Sequence, residues 1–114
     1  PYFDVPGPLA PEQRAPDSIQ FNLVGMTEDD IRAFAKSAAE KGVKVQVFGL
    51  SEDNARAFWN WQFLKDLPEL PQTRAMLMKA CDVRLPVRLT KDELDVIVDI
   101  LLTAASETME RVAA

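Results

Sequence analysis

The sequence predicts an α+β fold: a two-layer sandwich with a three-stranded, mostly antiparallel sheet and helices packed on one face. Three observations carry this. Two short segments alternate apolar and polar residues, the mark of half-buried strands. Two longer segments place apolar residues at helical spacing behind a capping sequence. The order strand, helix, strand, irregular segment, strand, long helix then suits an open sheet covered on one side.

The first element is "SIQFNLV" (residues 18–24), with Ile19, Phe21 and Leu23 on one face and Ser18, Gln20 and Asn22 on the other. Gly25 ends it, and Thr27 with Asp30 makes a capping-box-like helix start in which Asp30 replaces the usual glutamate. Ile31, Phe34, Ala35 and Ala38 form that helix's apolar stripe, and Gly42 supplies the left-handed residue that commonly ends a helix. "VKVQVFGL" (residues 43–50) alternates again and is expected to bury Val43, Val45 and Val47.

The middle stretch, "SEDNARAFWNWQFLKDLPELPQ" (residues 51–72), holds both tryptophans and two prolines. A short helix or irregular cover followed by a loop is expected there. "QTRAMLMKAC" (residues 72–81) reads as a further short helix, and "DVRLPVRL" (residues 82–89) as a brief strand that Pro86 pushes toward an edge or the end of pairing. Alternation in that strand puts Val83, Leu85 and Val87 on one face and Arg84, Pro86 and Arg88 on the other. Thr90 and Glu93 form a full capping box, worth about 1 kcal/mol. Leu94, Ile97, Val98, Leu101, Leu102 and Ala105 lay a wide stripe behind it. If the third strand lies between the first two, every neighbouring pair is antiparallel.

With 114 residues the chain fits one domain, and 47% hydrophobic with 27% charged residues is an ordinary globular balance. Residues 1–17 hold five of the eight prolines and read as an extended linker, with the domain running from 18 to 114. The opening on Pro1 suggests a piece of a longer protein.

A net charge of −5 leaves no broad electrostatic footprint for nucleic acid. The longest apolar run, residues 96–102, is interrupted by Asp99 and is too short to span a bilayer, and a single cysteine, Cys81, suits a reducing compartment. A cytoplasmic location follows as the expectation.

Histidine is absent, which removes the commonest general base and metal ligand and any serine–histidine or cysteine–histidine dyad within this chain. Neither phosphate-loop glycine spacing nor metal-ligand spacing occurs, and "EDD" (residues 28–30) is explained as helix N-terminal carboxylates. Two places remain where side chains suit a ligand. Trp59 and Trp61, with Phe58 and Phe63, are flanked by Asn54, Arg56 and Asn60, polar groups able to line a pocket or interface as well as a core edge. Arg84 offers a fork of donors suited to a carboxylate or phosphate, against the simpler reading of a solvated face or a surface ion pair.

The phrases "SIQFNL", "FAKSAAEKGVKVQVFGL", "LPQT" and "DVRLPVRLTKDELDVIVDIL" together resemble the C-terminal small domain of fold-type-I pyridoxal-phosphate aminotransferases. The nearest likeness is to the DegT/DnrJ/EryC1/StrS group, many of which aminate sugars or cyclitols. The likeness spans residues 18 to 105 and rests on element order, the strand-then-"KGV" step and the "RLP" to "DELD" ending.

The resemblance implies that pyridoxal phosphate, the Schiff-base lysine and the aspartate on the pyridine ring belong to a large domain ahead of this chain. None of Lys36, Lys41, Lys44, Lys65, Lys79 or Lys91 matches that lysine's motif, so this chain alone would be inactive. The parent would be a homodimer acting on a small-molecule amino donor and acceptor. By the same resemblance Arg84, Asn54, Arg56, Trp59 and Trp61 become the substrate-facing candidates. No catalytic, cofactor-binding or metal-binding residue is expected here. The opening of the chain, with a glycine at the first strand–helix turn, leaves a second reading: a free-standing small-molecule sensor or interaction module of ferredoxin-like or ACT-like type.

Overall fold

The computed structural model describes residues 1–7, 17–52 and 54–113. The fold is α+β. Its elements are β1 (Phe3–Asp4), β2 (Ser18–Leu23), α1 (Glu28–Glu40), β3 (Gln46–Val47), a 3-10 turn (Phe58–Asn60), α2 (Pro71–Lys79), β4 (Ala80–Arg84) and α3 (Lys91–Ala113). The strands lie in the order β1-β2-β4-β3, every neighbouring pair antiparallel. β4 therefore sits between β2 and β3, the arrangement expected to make every neighbouring pair antiparallel. β2 and β3 run parallel with β4 inserted between them, a split βαβ unit around α1.

The sheet has four strands rather than three. The extra one, β1, comes from the proline-rich opening and pairs Phe3 with Leu23 and Asp4 with Asn22. An extended backbone is what such a segment favours, and Phe3 gives it a reason to dock: its ring lies 5.1 Å from Phe21 and 5.9 Å from Phe34. The remainder of the expected linker, residues 8–16, lies outside the described residues.

The core forms where α1 and α3 cover one sheet face. Phe21, Leu23, Cys81, Val83 and Val47 from the strands meet Ile31, Phe34 and Ala38 of α1 and Leu101, Ala104 and Ala105 of α3. Val43, Val45 and Val47 are all buried as expected, yet only Gln46 and Val47 join the ladder. Alternation reports which face a side chain takes; it does not report whether the backbone has a neighbour. Phe48 N–H still donates to the Ala80 carbonyl at 3.0 Å, and the chain then turns at Gly49, where a Cβ would stand 3.0 Å from the Met78 backbone of α2.

The apolar stripe of α3 is narrower than its sequence suggests. Leu101, Ala104, Ala105 and Thr108 are buried, while Val98 and Leu102 are more than 40% exposed. The 83/85/87 alternation also fails past the proline. Val83 is buried and Leu85 half-buried, but Val87 is 98% exposed. Pro86 has no N–H to donate, so pairing stops at Arg84 and the chain leaves the sheet before Val87.

Both expected helix starts are capped. Thr27 Oγ1 accepts from the Asp30 N–H while Asp30 Oδ2 accepts from the Thr27 N–H at 2.8 Å and its hydroxyl at 2.7 Å. At α3, Thr90 N–H donates to Glu93 Oε2 at 2.7 Å and Glu93 N–H donates to Thr90 Oγ1 at 3.2 Å. Gly42 ends α1 at φ +100°, a conformation open to glycine at little cost.

A polar tie joins the two long helices. Lys41 Nζ donates to Glu107 Oε2 at 2.6 Å and to Ser37 Oγ at 3.0 Å, and Ser37 Oγ donates to the same carboxylate at 3.1 Å. The Lys41 hydrogen bond holds Glu107 below its ordinary value of 4.5; burial opposes this, and Ser37, the Lys41 charge and Arg111 add to it. Asp30 is likewise held below 3.8, first by the Thr27 hydroxyl and then by the Thr27 N–H. Carboxylates whose folded values are depressed stabilise fully above their unfolded values and lose that contribution as pH falls through the folded ones. Thermal unfolding of the chain from neutral pH down through the acid range should therefore show Tm falling below the ordinary carboxylate values. Glu107→Gln should flatten that acid limb and lower Tm at neutral pH, and an acid limb as steep as the parent's would exclude the tie as its source.

Candidate functional site

The sheet face away from α1 and α3 carries the polar members of the strands. Gln20, Gln46 and Arg84 are exposed there and Asn22 is half-buried, but Asp82 is only 3% exposed. Asp82 is the residue the sequence did not single out. Its register partners are Gln20 on β2 and Gln46 on β3, so it sits in the middle of the sheet. The one sequence signal is an acid at the centre of an otherwise apolar strand segment, between Cys81 and Val83.

The 51–61 segment supplies Asp82's counter-ion. Arg56 Nη1 stands 3.7 Å from Asp82 Oδ2, and its guanidinium lies 4.4 Å over the Phe48 ring. That separation is an ion pair without hydrogen-bond contact. The segment holds its shape by closing on itself. Asn54 Oδ1 accepts from the Arg56 N–H at 2.9 Å, Asn60 Nδ2 donates to the Ser51 and Asn54 carbonyls, and Trp61 Nε1 donates to the Ala55 carbonyl. Buried Ala57 and Phe58 anchor it. Two buried polar atoms have no hydrogen-bond partner among the described residues, Asp82 Oδ1 and Asn54 Nδ2.

Arg84 lies two residues along the same strand and is exposed. Among the described residues it has no ion pair and no side-chain hydrogen bond. Among the described residues nothing supports the surface-ion-pair explanation for it. It lines a cleft of about 410 Å³ at the point where β3 stops and β4 runs on, together with Lys44, Gln46 and Asp82 and an apolar wall that includes Leu89 and Ile97.

The five sequence candidates do not form one site. Asn54 and Arg56 belong to the Asp82 cluster, whereas Trp59 lines a separate groove of about 300 Å³ with Pro68, Leu70 and Arg74, the Arg74 guanidinium 4.5 Å over its ring. Trp61 is 38% exposed and stacks on Phe63 at 5.5 Å. Asn54 is 9% exposed, and Trp59 and Trp61 do not line the Arg84 cleft.

Cys81 offers no nucleophile: burial pushes its thiol up to about 12, so it stays protonated at neutral pH. Among the described residues no group of three or more acidic or cysteine side chains could hold a metal, and no helix is long and apolar enough to cross a membrane. No family model, curated protein or solved structure matches the chain.

Proposed function

We propose that this chain is the C-terminal small domain of a pyridoxal-phosphate-dependent aminotransferase of the sugar- or cyclitol-aminating DegT/DnrJ/EryC1/StrS type, a cytoplasmic enzyme, and that it helps close the substrate site. The observation that carries the reading is Arg84. Its guanidinium is exposed at the mouth of a cleft, on a sheet whose opposite face holds both long helices, and has no ion pair among the described residues, which supports a ligand-binding role. The antiparallel sheet backed by helices agrees with what the sequence resemblance implies. In this reading pyridoxal phosphate, held by the preceding large domain, supplies the electron withdrawal. This chain binds and orients the substrate's anionic group through Arg84 and excludes water from that side.

The experiment is to express the complete reading frame that contains this chain and measure transamination and the visible absorbance of lysine-bound cofactor. The reading expects both, with the cofactor trapped by reduction on a lysine ahead of Pro1. Trapping on one lysine of the 114-residue chain itself, or a reading frame that opens beside Pro1, would sink it.

The second reading, a small-molecule sensor of ferredoxin-like or ACT-like type, draws on the split βαβ unit of β2, α1, β3 and β4. Regulated ligand binding by a protein without transaminase activity would favour it.

A further inference from the structure

The β3–β4 ladder ends at an informative pair. Gln46 faces Asp82 and Val47 faces Cys81. Continued by two residues, the same register would set Lys44 opposite Arg84. Like charges directly opposite each other across a sheet are destabilising, with Cβ atoms only about 5 Å apart. The ladder is absent there, and no main-chain hydrogen bond joins Lys44 to Arg84 among the described residues. Lys44, like Arg84, is exposed and has no ion pair among the described residues. The acid nearest the cleft, Asp82, is already engaged by Arg56. Among the described residues the rim is thus left with two positive charges that no ion pair engages.

We propose that the cleft between the end of β3 and β4 binds a small organic phosphate, whose dianion bridges Lys44 and Arg84 and lets the two strands draw together. Two cations match a phosphate dianion, with the arginine fork taking two oxygens and the ammonium a third. Gln46, on the same rim, adds an uncharged donor. The apolar wall of Leu89 and Ile97 suits the organic part of the ligand, and about 410 Å³ lies within the range of small-molecule pockets, roughly 300–1,000 Å³. The proposal shares Arg84 with the aminotransferase reading but does not rest on it. If both hold, the phosphate names the charged group on the substrate.

The test uses the 114-residue chain, amide NMR, and titration at constant ionic strength with phenyl phosphate, inorganic phosphate and acetate. Saturable shifts are expected at residues 43–46 and 83–85 with phenyl phosphate, weaker ones with inorganic phosphate, and none beyond a chloride control with acetate. The Arg84 amide should exchange more slowly when the site is filled, because the ladder has closed. Lys44→Gln and Arg84→Gln should each weaken phenyl phosphate binding about tenfold or more, the effect of losing a charge-assisted contact. Both residues are exposed, and near-UV circular dichroism on each variant checks that the fold is kept. Acetate binding as well as phosphate, shifts that survive the double substitution, or an unchanged Arg84 exchange rate on saturation would each overturn the proposal. None of these outcomes depends on transaminase activity.

Discussion

Phe34→Ala is expected to cost about 3–5 kcal/mol, the largest loss available from one side chain here. Phe34 is 0% exposed and sits where α1 meets the sheet, with Phe3 of β1 against its ring at 5.9 Å. Deleting it removes the transfer energy of an aromatic ring and leaves a cavity between a helix and a sheet, neither of which can collapse freely. For a chain of this size the loss corresponds to a Tm drop of roughly 12 to 20 °C. Thermal unfolding measures it directly. Phe3→Ala should cost less, because Phe3 is half-buried on a two-residue edge strand, but it should couple to Phe34 in a double-mutant cycle. A Phe34→Ala loss below about 1 kcal/mol would mean that the α1–sheet layer does not form as described.

Arg84→Met is expected to do the reverse: little to stability and much to function. The side chain is exposed and has no ion pair among the described residues, so its removal should change folding stability by less than about 0.5 kcal/mol. If the complete protein is the proposed aminotransferase, loss of a charge-assisted contact to the substrate's anion should reduce amination by about 1.5–3 kcal/mol, at least tenfold in kcat/KM. Arg84→Lys should restore only part of this, because an ammonium cannot replace the two-pronged guanidinium. Chemical denaturation of the 114-residue chain and amination kinetics of the complete protein separate the two effects. Unchanged kinetics with a large drop in stability would make Arg84 a structural residue and remove it from the site.

What was legible in the sequence is whatever depends on neighbours a few residues apart. Alternation identified Ile19, Phe21 and Leu23 and the valines at 43, 45 and 47 as inward, because successive strand side chains must point to opposite faces. The Thr27/Asp30 and Thr90/Glu93 boxes were readable because a cap is made by residues three apart. The order with β4 in the middle is the one in which every neighbouring pair is antiparallel, the arrangement expected if the third strand lies between the first two.

What only the tertiary structure decided depends on which distant residues meet. β1 exists because Phe3 finds Phe21 and Phe34, and nothing within a proline-rich opening announces that. Asp82 is buried because β2 and β3 flank its strand and the 51–61 loop brings Arg56 to its carboxylate, contacts between residues far apart in sequence. Arg84 was a candidate by type, but its lack of an ion pair among the described residues, and its place with Lys44 on one cleft where the β3–β4 ladder has stopped, are properties of the assembled sheet. Local chemistry sets what each residue can do; the long-range pairing of strands sets which of those capacities are used internally and which are left facing outward.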